Sequence, residues 1–212
     1  MTIDEMMAVA RSTDRYNFHS HTEFCDGRAT VAEFARRAAA DGFLHYGFSP
    51  HSPIPFESPC NMSADDVGRF FNEVDKASET FGDSTRFYKA MEIDFINDDW
   101  GPSNNYFKSL PLDYAIGSVH FIPGPEGYVD IDGSFANFKV KMERFFAGDI
   151  RHVVEAFYSQ SRRMLELGGF QIIGHFDKIG HNAAHFRDGI ENEAWYRRLV
   201  DDLIDLIAEK GV

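Results

Sequence analysis

Short apolar runs rich in β-forming residues alternate along the chain with longer stretches of helical periodicity. The runs span residues 16–19, 44–49, 86–95, 114–120 and 171–175. Apolar residues at helical spacing predict helices over residues 31–41, 63–81, 135–146, 150–167 and 191–210. Thr30 and Gly42 bound the first helix as N-cap and terminator. Strands that alternate with helices predict an α/β fold with a parallel sheet or barrel.

Three stretches between these elements are predicted to be loops. Residues 101–105 and 123–133 are rich in glycine, proline and polar residues, and residues 128–132 are expected to cover the mouth of a site. The HNAAH segment at 181–185 is also expected to be a loop. None of them divides the chain, so its 212 residues predict a single domain.

Composition and charge narrow the functional classes. The chain has no apolar run near the ~20 residues of a membrane span and no signal peptide, which predicts a cytoplasmic protein without a membrane partner. The two cysteines, Cys25 and Cys60, are too few for a disulfide framework. A net charge of −13 without a Lys/Arg cluster makes a nucleic-acid partner unfavourable.

Histidines and acids gather where the predicted strands end. His19 and His21 lie two residues apart, so both side chains point to the same face of the first strand. Asp26 follows in the next turn, and the later strands supply His51, Glu92, His120 and His175. One histidine at a strand end is more often a polar packing residue than a ligand. Five successive strands that each supply such a residue at one rim favour a metal site.

The motifs around these residues resemble a known superfamily. They are HSH at 19–21 with CDG at 25–27, SPH at 49–51, MEID at 91–94, GSVHF at 117–121 and GHFD at 174–177. In this order they resemble the successive motifs of the polymerase and histidinol phosphatase (PHP) superfamily. CDG and GHFD are similar to its histidinol-phosphate phosphatase branch, and the likeness spans residues 17–179.

The resemblance implies a distorted (β/α)7-type PHP barrel with two to three divalent metal ions, commonly zinc, iron or manganese. It implies that His19 and His21 bind one ion and that Glu92 bridges this ion to a second, which His120 and His175 complete. Asp26 and His51 would serve a third. Mixed imidazole and carboxylate ligands suit borderline cations without choosing among them.

One family feature has no counterpart in this sequence. The last metal ligands of the family, an Asp and a His two residues apart near the C-terminus, are not found after His175. The sequence therefore predicts a barrel incomplete at its C-terminus. Such a sheet has unpaired edges that favour association, so a homo-oligomer is a possible state.

The resemblance implies hydrolysis of a phosphomonoester, with L-histidinol phosphate as the first candidate substrate. Arg162, Arg163 and Lys178 are candidate phosphate-binding residues. Asp94 is expected to serve a neighbouring strand through a hydrogen bond or salt bridge. The histidines without a matching motif are interpreted as structural or surface residues; they are His45, His152, His181 and His185.

Two other functions stay open at this point. The chain could be a PHP phosphoesterase for another small phosphate ester or a nucleotide. It could also be a metal-binding fragment that is inactive alone, because the closing Asp-x-His pair is missing.

Overall fold

The helices and strands follow the predicted alternation. The computed structural model describes residues 1–212. Its strands are β1 (Tyr16–Asn17), β2 (His45–Phe48), β3 (Arg86–Asp94), β4 (Tyr114–Ser118), β5 (Phe121–Gly124), β6 (Gly127–Asp130) and β7 (Ile172–Ile173). Its helices are α1 (Ile3–Ser12), α2 (Val31–Ala40), α3 (Val67–Phe81), α4 (Asn105–Lys108), α5 (Phe135–Phe146), α6 (Ile150–Leu167), α7 (Ile179–Phe186) and α8 (Ala194–Lys210).

The chain forms two compact units. The first contains residues 1–93, 105–116 and 170–172. The second contains residues 94–104, 117–169 and 173–212, so the last residues of β3, β4 and β7 are counted with it. The prediction of a single domain stays a prediction.

Most of the main sheet lies in the first unit. Its strand order is β1-β2-β3-β4-β7, and β2 pairs in parallel with both β1 and β3. All five strands coincide with the apolar runs of the sequence, although the observed strands are shorter. The predicted α/β fold is confirmed, and its main sheet has five strands, fewer than the seven of a full barrel.

The apolar core of the first unit explains why α1 forms. Met6 of α1 is buried with Tyr88, Ala90, Tyr114 and Ile116 of the sheet. A capping box between Thr2 and Glu5 begins this helix. The hydrophobic pattern predicts no helix here, because the segment carries only a short apolar run.

The second unit is mainly helical, and α6 packs against α5, α7 and α8. Two loop predictions are wrong here. Residues 123–133 contain most of an antiparallel hairpin, in which β5 pairs with β6. The HNAAH segment lies inside α7, where Asn182 is buried and donates hydrogen bonds to the carbonyl oxygens of Ile131 and Gly133. None of the helices is both long and apolar enough to cross a membrane.

A contact between strands that are not adjacent in the sheet fixes the segment before the first histidine. The buried Tyr114 hydroxyl donates a 2.6 Å hydrogen bond to the carbonyl oxygen of Phe18. Gly47 makes room for this hydroxyl, because a Cβ at Gly47 would lie 1.8 Å from the Tyr114 oxygen. A residue larger than glycine at position 47 would therefore displace the tyrosine or the strand.

We expect Gly47→Ala to destabilise the protein by about 1–3 kcal/mol, the usual cost of overpacking a core. Gly68→Ala is the control, because Gly68 is an exposed helical residue whose added Cβ would meet no atom within 4 Å. The control should gain up to about 1 kcal/mol from better helix propensity. Urea denaturation measures both changes, and equal stability of the two variants would contradict the packing argument.

Candidate metal centre

A buried carboxylate surrounded by imidazoles is the main polar feature of the first unit. Glu92, near the end of β3, is 1% exposed. Its Oε2 lies 3.0 Å from Nε2 of His21 and 3.3 Å from Nδ1 of His51. Nε2 of His19 is 3.7 Å from the same oxygen. Three of the predicted ligand histidines therefore meet at one carboxylate oxygen.

Backbone pairing places His51 beside Glu92. The two residues form a parallel bridge beyond the end of β2. The Glu92 amide donates to the carbonyl oxygen of Pro50 at 3.0 Å, and the Ser52 amide donates to the Glu92 carbonyl at 2.8 Å. This pairing fixes the register of the two chain segments, so both side chains arrive at the same rim.

His19 and His21 are each held through Nδ1. Nδ1 of His19 lies 2.9 Å from the hydroxyl oxygen of Ser49. Nδ1 of His21 donates to Asp26 Oδ1 at 2.7 Å. In both rings the tethered nitrogen leaves Nε2 to face Glu92. A hydrogen bond on one ring nitrogen that orients the other is the usual arrangement around metal-binding histidines.

The backbone around these residues is locked as well. The hydroxyl of the buried Ser49 accepts a 3.0 Å hydrogen bond from the Ser20 amide, while the Ser49 amide donates to the Ser20 carbonyl at 2.9 Å. The following turn packs tightly, because a Cβ at Gly27 would lie 2.4 Å from the Thr22 amide nitrogen. Glycine thus allows the turn to return Asp26 to His21.

A second group of ligand-type residues lies in the second unit. Nδ1 of the buried His120 donates to Asp94 Oδ1 at 2.6 Å, which confirms the predicted hydrogen-bonding role of Asp94. Nε2 of His120 and Nε2 of His175 face each other at 3.1 Å. His175 has a φ of +23°, a region that is costly for residues other than glycine. Strain of this kind is typical of functional positions.

The charges of the first group affect two pKa values. Burial opposes a charge on His21, but the hydrogen bond and negative charge of Glu92, joined by those of Asp26, outweigh it and raise the pKa of His21 above 6.5. Burial of Asp26 acts to raise its pKa, whereas the hydrogen bond and charge of His21 dominate and lower it below 3.8. Without a metal ion, the negative charge of both carboxylates therefore favours a proton on His21.

The donor atoms fit a divalent ion of borderline character. His19, His21 and Glu92 each offer one ligand atom, and these atoms lie within 4.8 Å of one another. His21, Asp26 and His51 form a second such group. Two imidazoles with one carboxylate suit zinc, iron or manganese. His21 Nε2 and the buried Glu92 Oε2 already face each other at 3.0 Å, so the residues present fit such an ion.

The candidate phosphate-binding residues are all paired with carboxylates. Arg163 forms salt bridges with Asp98 at 2.6 Å and with Glu166 at 3.3 Å. Arg162 lies 3.9 Å from Glu166. Nζ of Lys178 lies 2.9 Å from Asp132. Their contact with substrate stays a prediction.

The cysteine near the first group does not have the properties of a nucleophile. Burial raises the pKa of the Cys25 thiol, although nearby backbone hydrogen bonds act to lower it. A thiol of this kind is largely protonated near neutral pH. This environment agrees with a packing role for Cys25.

The sequence and the fold both resemble known proteins. Residues 17–212 match the PHP domain family, and the chain belongs to that family. A candidate histidinol phosphatase of Listeria monocytogenes, HisK, has the same fold with a TM-score of 0.78 at 18% identity, over 92% of this chain and 79% of that chain. Histidinol phosphate phosphatase of Lactococcus lactis, in complex with zinc, L-histidinol and phosphate, gives a TM-score of 0.62 at 21% identity, over 92% of this chain and 70% of that chain. No curated protein matches the sequence.

The raised pKa of His21 predicts a pH-dependent stability of the metal-free protein. The contribution of the His21 proton is fully present below pH 6.5 and is lost as the pH rises through the folded-state pKa, which lies above 6.5. We expect His21→Gln to lack this part of the pH dependence. Denaturation of both proteins from about pH 6 to about pH 8 measures it.

The exposed His152, in α6, provides the control variant His152→Gln, which should follow the wild type. A constant stability difference between wild type and His21→Gln across this pH range would contradict the coupling of His21 to the two carboxylates.

Proposed function

We propose that this PHP-family chain is a metal-dependent phosphoesterase and that its substrate is L-histidinol phosphate. The convergence of three imidazoles on the buried Glu92 carboxylate carries the proposal, because this donor set suits a divalent ion. The bound zinc, L-histidinol and phosphate of the Lactococcus lactis protein, which shares the fold, support the choice of metal and substrate.

The residues of the chain hold and orient the ligands. Ser49 and Asp26 fix the rings of His19 and His21, and Asp94 fixes the ring of His120. In each ring Nδ1 makes this hydrogen bond, and Nε2 points toward the other candidate ligands. Divalent ions bound by these nitrogens would supply an activated water and neutralise the charge of the phosphate.

Lys178 is the best placed of the three candidate phosphate-binding residues. Burial acts to raise the pKa of its partner Asp132, but the hydrogen bond from Lys178 and the charges of Lys178 and His120 lower it. Asp132, the ion-pair partner of Lys178, therefore lies within electrostatic range of His120. We propose that Lys178 exchanges Asp132 for a phosphate oxygen of the substrate, while Arg163 keeps its two carboxylate partners.

A substrate panel tests the proposed activity. The metal-loaded chain is assayed with L-histidinol phosphate, other small phosphomonoesters and nucleotides, in excess manganese or zinc. We expect the highest kcat/KM for L-histidinol phosphate, and an equal or higher value for another ester would overturn that choice of substrate. Bound metal without turnover of any ester would reject the phosphoesterase and support an inactive metal-binding chain.

Glu92→Gln is expected to remove at least one bound ion per chain and to lower activity by more than about 100-fold. Loss of a residue that only orients a metal ligand costs up to about 100-fold, and loss of a ligand should cost more. The amide keeps the shape of the side chain but lacks the charge that binds the cation. Mass spectrometric metal analysis measures the ion content. Glu79→Gln, at an exposed position of α3, is the control, and full metal content in Glu92→Gln would contradict the proposed ligand role.

Asp94→Asn is expected to weaken metal binding by about 10- to 100-fold without unfolding the chain, because it removes the charged partner of His120 Nδ1. Competition with a chelator measures the affinity, and circular dichroism checks the fold. Asp83→Asn changes an exposed acid and serves as the control. Unchanged affinity in Asp94→Asn would show that the orientation of His120 does not contribute to binding.

A further inference from the structure

Helix α7 carries two histidines that belong to neither ligand group. His181 and His185 are four residues apart, so they lie on the same face of the helix. Both are exposed, and their ring centroids are 4.5 Å apart with 47° between the ring planes. If the segment were a loop, as the sequence predicts, the four-residue spacing would not place the two side chains on the same face.

The His185 ring is held in one orientation. Its Nδ1 donates a 2.8 Å hydrogen bond to the carbonyl oxygen of His181. The ring of Phe135 packs against it with a centroid distance of 5.6 Å. The neutral ring therefore has its lone pair on Nε2, the nitrogen that can bind a cation. A ring that is already oriented loses less conformational freedom when it binds a ligand.

The charges near this pair do not oppose a cation. Lys178 and Arg187, the basic residues on either side of the pair in sequence, form ion pairs with Asp132 and Glu193. The chain as a whole has a net charge of −13, which attracts cations at long range. Two histidines at this spacing on one helical face are a known arrangement for binding zinc.

We propose that His181 and His185 form an accessory site for a borderline divalent transition metal such as zinc, nickel or copper, with water as the remaining ligands. Imidazole nitrogens favour these ions, whereas magnesium and calcium prefer oxygen ligands. The site uses different atoms from the candidate metal centre, so it stands independently of the proposed function.

An ion at this site would also stabilise α7. The helix is linked to the turn after β6 through the buried Asn182, whose amide donates to the carbonyl oxygens of Ile131 and Gly133 at 3.4 Å each. A cation that joins two successive turns of α7 opposes unfolding of the helix and of the turn attached to it.

Nickel titration of the chain, loaded with zinc and then dialysed to remove weakly bound ions, tests this site. Isothermal titration calorimetry should detect one nickel ion bound per chain in the wild type, with magnesium giving no binding. In His181→Ala and in His185→Gln this binding should weaken by at least about tenfold, because a single imidazole has lost the chelate effect. Nickel should raise the melting temperature of the wild type more than that of either variant.

His152→Ala is the matched control, because His152 is exposed on a helix and has no histidine four residues away. It should bind nickel as the wild type does. Wild-type nickel affinity in both His181→Ala and His185→Gln would overturn the proposal, as would equal loss in His152→Ala. Circular dichroism of each variant shows whether α7 is folded, and the conservative His185→Gln variant decides if His181→Ala is unfolded.

Discussion

The buried charge of Glu92 is the constraint on which the rest of the candidate centre depends. A carboxylate that is 1% exposed is unfavourable by several kcal/mol unless positive charge compensates it. The imidazoles of His19, His21 and His51 lie within 3.7 Å of Oε2 and can carry or recruit such charge. They can do so as protonated rings or as ligands of a cation. The site therefore favours positive charge, and a proton and a metal ion would compete for it.

The same device orients histidines in both units. A protein oxygen holds Nδ1 of each ring, from Ser49 for His19, from Asp26 for His21 and from Asp94 for His120. Each tether is itself fixed by the fold, because it lies on or directly beside a strand or in a tightly packed turn. Ligands that are already oriented need little rearrangement when a cation binds, which favours both affinity and a defined geometry.

The sequence predicted the structure best where an apolar run is followed directly by a motif of histidines or acids. All five strands of the main sheet were located, because each is an apolar run that ends in a polar motif. The grouping of His19, His21 and Glu92 also followed from strand alternation and the family motifs. The sequence could not show that Asp26 contacts His21 through Nδ1, because that contact depends on the turn at Gly27.

The wrong predictions have physical causes as well. Residues 123–133 contain glycine and proline, which indicate a loop, yet backbone pairing makes most of them a hairpin. The HNAAH segment lacks the charged residues of a typical surface helix, and it becomes a helix through tertiary contacts in which Ile179, Asn182 and Ala183 are buried.

A crystal structure of the zinc- or manganese-loaded chain, with anomalous diffraction recorded at the absorption edge of the metal, tests most directly whether Glu92 and its histidines hold a cation. We expect an anomalous peak within bonding distance of Glu92 and of Nε2 of His19 and His21, about 2.0–2.2 Å for zinc. Glu92 still hydrogen-bonded to a protonated His21, with the ion bound elsewhere, would contradict this role of the buried carboxylate.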